Sequence, residues 1–190
     1  MPVFLAVLAA VIIIVFVYGI VIYNRLVGLK HAVSQAWSNI QVLLKQRHDE
    51  LPKLVEVCKR HMKFEQDTLE RVMKARSRVF QAQHQGDMAR LGRAEGELRQ
   101  GLANLFAVAE SYPELKASRS FQHLESRITE LENTLADRRE FYNAAVNVNN
   151  VRIEQFPDVI LARWFGFQPF ELLRFEAEAI RDVELGRLFD

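Results

Sequence analysis

From Val3 to Tyr23 the chain holds no charged and no strongly polar side chain; Gly19 is the one small gap in a run of bulky apolar residues. A helix that long rises about 31 Å at about 1.5 Å per residue, enough to cross a hydrocarbon core. The pattern then changes. From Arg25 to His48, apolar residues fall at Leu26, Leu29, Val33, Trp37, Ile40 and Leu44, in steps of three or four. That spacing places them on one face of an amphipathic helix. No proline lies between this face and the apolar run, so one continuous rod is expected.

At Asp49-Glu50-Leu51-Pro52 two readings stand. Asp49 caps a new helix with Pro52 in its first turn, or Pro52 kinks one very long helix. Beyond it, Val55, Cys58, Met62, Leu69, Val72 and Val79 continue a stripe from about Lys53 to about Gln83, with Glu65 and Arg76 on the same stripe. These two are either solvated or buried and paired, because an unpaired buried charge is costly. Gly86 supplies a positive φ after that helix and Asp87 caps the next. The third helix carries Leu91, Ala94, Leu98, Leu102, Leu105, Ala109 and Tyr112, and Pro113 closes it. Gly92 and Gly96 are expected on its polar side.

A fourth helix, capped by Ser118 or Ser120, follows the stripe Phe121, Leu124, Ile128, Leu131, Leu135, Tyr142, Ala145 and Ile153. Arg138 and Asn149 interrupt it. The late cluster of Asn143, Asn147, Asn149 and Asn150 makes hydrogen bonds between helices or frays the helix end. Phe156-Pro157 ends it, an apolar stretch runs from Val159 to Phe167, and an acidic amphipathic helix is expected from Phe170 to about Leu188. The fold class is therefore all-α: an N-terminal transmembrane helix continuing into about four long helices plus a short C-terminal one, whose arrangement as an elongated antiparallel bundle is what the family likeness described below implies. The expected division is an external N-terminus at 1–2, a span at 3–23, the bundle at 24–167 and the acidic helix at 168–190.

Charge refines the picture. A secretory signal wants a basic leader and a small-residue cleavage site. Here Met1 and Pro2 alone precede the run, and it ends in Val21, Ile22 and Tyr23. Arg25, Lys30, Lys45 and Arg47 follow with no acid before Asp49, so the positive-inside rule puts the amino end outside and the rest of the chain in the cytoplasm. A periplasmic bundle is the alternative. The net charge of +1 advertises no nucleic-acid partner. Cys58 is the single cysteine, which excludes an internal disulfide.

The chemistry is sparse. A di-iron bundle needs Glu-x-x-His pairs, and none occurs. Cys58, His61 and Glu65 share a helical face but lack a fourth ligand for zinc. No Gly-x-Ser-x-Gly, P-loop or dinucleotide pattern appears. Neither catalytic, cofactor-binding nor metal-binding residues are assigned. Candidate polar pairs are Glu65 and Arg76, and Glu110 with Arg138 or Arg139. The candidate interface is Trp164, Phe165 and Phe167, since aromatics anchor interfaces. Those three either cap the bundle core or wait for a partner.

Several stretches, in order, carry a family likeness: Tyr23-Asn24-Arg25-Leu26-Val27, Gln35-Ala36-Trp37-Ser38-Asn39-Ile40, Leu51-Pro52-Lys53-Leu54-Val55 and Thr68-Leu69-Glu70. They continue with Ala109-Glu110-Ser111-Tyr112-Pro113-Glu114-Leu115, Phe121, Arg138-Arg139, Tyr142-Asn143, Phe156-Pro157 and Phe165-Gly166-Phe167. Over roughly Ile22 to Phe167 the chain resembles the LemA family of bacterial membrane proteins. The resemblance implies one N-terminal span, a short external N-terminus, an antiparallel helical bundle and no catalytic residues. After Phe167 the acidic ending departs from the family pattern, which leaves a shared tail partner open. The function expected is a membrane-anchored scaffold, not an enzyme, that self-assembles or recruits a membrane-protein partner on the lipid bilayer. A sensor passing membrane strain from span to bundle is the alternative.

Overall fold

The computed structural model describes residues 1–175. Among them every regular element is helical: α1 (Pro2–His61), α2 (Gln66–Gln85), α3 (Met88–Ala109), α4 (Pro113–Lys116), α5 (Arg119–Glu154) and α6 (Asp158–Trp164). The described residues form two compact units, one of residues 1–38 with 141–172, the other of 39–140 with 173–175. Helices α1 and α5 each contribute to both.

Helix α1 is 60 residues long and unbroken. The continuous rod expected through Arg25–His48 is therefore present, and it runs on through Pro52. Of the two readings at Asp49–Pro52, the one very long helix is present, and the chain breaks ten residues past Pro52, at Met62–Glu65. Proline has no N–H, so the carbonyl four residues back, on His48, loses its helical donor. The Arg76 guanidinium supplies one: its Nε donates to the His48 carbonyl at 2.9 Å. Its Nη2 lies 2.6 Å from His48 Nε2, and Phe80 stacks on the imidazole with ring centroids 4.9 Å apart. Pro52 thus neither breaks the helix nor leaves a carbonyl orphaned.

In the larger unit, Leu51, Leu54 and Cys58 of α1 and Met62 just past its end are buried with Leu69 and Val72 of α2, Leu98 and Leu105 of α3, and Phe121 and Ile128 of α5. The turn between α2 and α3 is built as its sequence predicts. Gly86 sits at φ +69° and Asp87 accepts a hydrogen bond from the Arg90 amide at 2.8 Å. Gly92 is a correction. It is buried, not on a polar face, because the backbone of Arg174 crosses it; a Cβ there would lie 1.9 Å from the Arg174 carbonyl oxygen. Gly96 has open space around it.

In the smaller unit, Ile22 and Leu26 of α1 pack on Ile153 of α5 and Ala162 of α6, flanked by Leu161 and Phe167. Trp37 lies against Tyr142, with centroids 5.7 Å apart. The asparagines do not fray α5, which runs to Glu154. The Asn150 amide grips the backbone of Phe170, accepting from its N–H at 3.0 Å and donating to its carbonyl at 2.8 Å. Tyr142 donates to the Glu171 carbonyl at 2.9 Å. Residues 167–175 form no regular element and are held by these contacts, so no helix starts at Phe170. The remainder of that expected helix lies outside the described residues.

Candidate functional site

Three features carry the polar and exposed apolar chemistry. The first is on α6. Pro157 precedes it, Asp158 heads its first turn, and it ends in a Schellman turn. Gly166 takes φ +70°, Phe167 N–H donates to the Ala162 carbonyl at 2.9 Å, and Gly166 N–H to that of Arg163 at 3.3 Å. This turn places the three aromatics. Phe165 and Phe167 both meet Tyr23 of α1, with centroids 4.7 and 6.0 Å apart. Phe167 is half-buried, whereas Phe165 is exposed and Trp164 is 80% exposed. Phe156 and Ile160, one turn apart from each other and from Trp164, are exposed too. Asp158 is buried in an ion pair with Arg152 of α5, which anchors the start of α6.

The second is a buried charge cluster in the larger unit. Arg47 of α1 is 1% exposed and pairs with Glu95 of α3, itself 3% exposed, and with the half-buried Glu132 of α5. Burial opposes the Arg47 charge, but the two carboxylates hold it firmly cationic. Burial pushes the Glu95 carboxyl up from its ordinary range, Arg47 pulls it back, and the neighbouring Glu132 charge adds to the rise. The Arg47 guanidinium and the two carboxyl groups tie three helices together at one level. Sequence reading assigned Arg47 to membrane topology and passed over Glu95 and Glu132. The available signal was the stripe itself: Ile40, Leu44, Arg47, Leu51 keeps the three-and-four rhythm, and Glu95 sits between the buried Ala94 and Leu98.

The third is an apolar stripe on the outer face of α5. Phe141, Ala144, Val148 and Val151 are all exposed and follow heptad spacing.

The remaining candidate residues are dispersed. Glu65 falls in the break after α1, off the helical face of Cys58 and His61, and is half-buried where Tyr112 donates to it at 3.5 Å. Arg76 serves the His48 carbonyl. Glu110 is exposed and faces Lys116 at 3.8 Å. Arg138 is exposed, and Arg139 is buried with its guanidinium 4.3 Å from the ring centre of Phe175. Cys58 is fully buried, and burial, aided by the charge of Glu125, pushes its thiol up to about 12. Among the described residues no three His, Cys, Asp or Glu side chains converge as a metal would need.

Comparison with known proteins agrees with this architecture. The profile of the LemA family matches residues 36–185, so the match extends well beyond Phe167 into the ending that reads as atypical. The magnetosome proteins MamQ 2 and MamQ 1 of Paramagnetospirillum magneticum are each 27% identical over 172 residues, covering 78% of this chain and 63% of their own length. The magnetosome protein MamQ of Magnetospirillum gryphiswaldense is 24% identical over the same coverage. The chain thus spans less than two thirds of these relatives.

Proposed function

The chain belongs to the LemA family, and from that premise we propose that it is a membrane-anchored helical scaffold that assembles with further copies of itself at the bacterial inner membrane. In this reading the apolar run of α1 crosses the bilayer, the amino end lies outside, and the rest of the chain is cytoplasmic. The α1 run is long and apolar enough for a span and is almost wholly exposed. The charges that follow it favour this orientation. The relatives are named as magnetosome proteins rather than for a reaction.

The observation that carries self-assembly is the α5 stripe. Ala144, Val148 and Val151 present part of an a/d seam on a helix whose opposite face already packs in its own unit. Such a seam is covered most simply by the same seam on another copy. Light scattering on nanodisc-extracted protein, with lipid subtracted, is expected to give a discrete oligomer that V148E/V151E reduces to monomer. A monomeric wild type would sink the proposal, and an oligomer unmoved by the double substitution would move the interface elsewhere. A C-terminal fluorescent reporter that matures only in the cytoplasm tests the orientation.

A sensor reading draws on one specific feature, the unbroken passage of α1 through Pro52. Under it, P52G alters signalling while leaving the oligomer mass unchanged.

A further inference from the structure

We propose that α6 is a second membrane contact: its exposed apolar face lies in the lipid interface, where acyl chains fill the groove between α6 and the end of the α1 run. This inference rests on the reading that the α1 run crosses the bilayer.

The groove is lined on α1 by Val15, Phe16 and Gly19, and on α6 by Ile160, Trp164 and Phe165, and encloses about 540 Å³. Its walls are almost entirely apolar. It opens directly above the place where Ile22 and Leu26 are sealed against Ala162. From Tyr23 back to Val15 the helix rises about 12 Å. The groove therefore occupies about the last two fifths of the run, and anything in it lies at the depth of that part. With the run in a bilayer, that depth belongs to the upper acyl chains and the headgroup boundary.

The side chains suit that level. Trp164 and Phe156 are each 80% exposed, and Ile160 and Phe165 more than half exposed. In water this would be a costly contiguous patch. At the interface, Trp and Tyr are at home with the ring in the boundary region. Tyr23, packed on Phe165, closes the same belt from the α1 side. Arg163 on α6 and Arg25 and Lys30 beyond the run are placed to meet lipid phosphates. A partner without a span of its own would have to enter the bilayer to reach Val15, whereas lipid is already there.

The test uses the full chain in phosphatidylcholine–phosphatidylglycerol nanodiscs. The protein has two tryptophans, so W37F (or W37Y, which keeps a ring against Tyr142) leaves Trp164 as the sole reporter. Lipids brominated near the headgroup end of the chain are expected to remove about half of the Trp164 emission, as for an interfacial aromatic, with little quenching by aqueous iodide. F16W in a W37F/W164F background reports the span itself. Iodide quenching of Trp164 with lipid quenching of the Phe16→Trp reporter would overturn the α6 contact and leave the span standing. Lipid quenching of neither would overturn both. Protection of Trp164 from iodide and bromolipid together would assign the α6 face to a protein surface and overturn the proposal.

Discussion

Arg76 shows how a single residue acquires its role from a gap elsewhere in the chain. On sequence it is a charge on an apolar stripe. In the structure it completes the hydrogen bonding that Pro52 leaves open. R76M is expected to lower stability by about 1–3 kcal/mol, the cost of an unsatisfied acceptor and a lost charged hydrogen bond. In a P52A background the helix provides its own N–H, so R76M should cost less there. Equal losses in both backgrounds, read by urea denaturation, would refute the link. The same guanidinium lies beside His48, whose pKa is lowered first by burial and then by Arg76, with Asp49 opposing and Arg47 reinforcing. The folded state thus binds this proton less readily than the unfolded state. Stability from this group is complete above the ordinary imidazole value of about 6.5 and is lost as pH falls through the depressed folded value. The urea midpoint of H48Q should therefore fall less than that of wild type between neutral pH and about pH 5. Cys58, buried with its pKa near 12, should resist an aromatic disulfide reagent in the native protein and react on unfolding.

Elements were legible from the chain where periodicity is unopposed. The stripes of α1, α3 and α5 are the buried faces, and Gly86 and Asp87 form the turn they spell. The misreadings have common physical causes. Pro52 leaves a boundary and one long helix both open because local sequence does not reveal that a distant arginine satisfies the freed carbonyl. Residues 170–175 read as helix because they are amphipathic, yet Asn150 and Tyr142 claim their backbone groups. Gly92 reads as a weak helix former because nothing nearby announces a crossing backbone. The two α3 glycines should therefore respond oppositely. G96A is expected to be neutral or stabilising by about 0.5–1 kcal/mol from helix propensity. G92A should be destabilising and should release the C-terminal segment to limited proteolysis, because its Cβ meets a backbone carbonyl. Similar protease sensitivity for both variants would contradict the docking of that segment. Of the candidate site, the Trp164–Phe167 aromatics could be picked out by composition, but the Arg47 cluster could not be separated from flanking positive charge until three helices met around it.

For the whole molecule, the relevant quantity is what unites so many helices. R47M leaves Glu95 buried without its cation and is expected to cost about 3–5 kcal/mol, while R47M/E95M should regain much of it. Recovery would mean that the cluster specifies alignment more than it supplies stability. If the α1 run anchors the chain, neither high salt nor alkaline carbonate should strip it from membranes; release by either would identify a peripheral protein. Long amphipathic helices also face a particular hazard. Their stripes repeat every turn, so a neighbour displaced by one turn still finds leucines to cover. Pro52 removes that degeneracy. It is the one proline inside α1, and it marks a single carbonyl that no other position along the helix duplicates. Arg76 reaches its full complement of partners in one alignment of α2 and loses it in the slipped ones. Proline here works as a landmark on an otherwise uniform ruler, and across related chains its loss is expected to go with loss of the arginine that reads it.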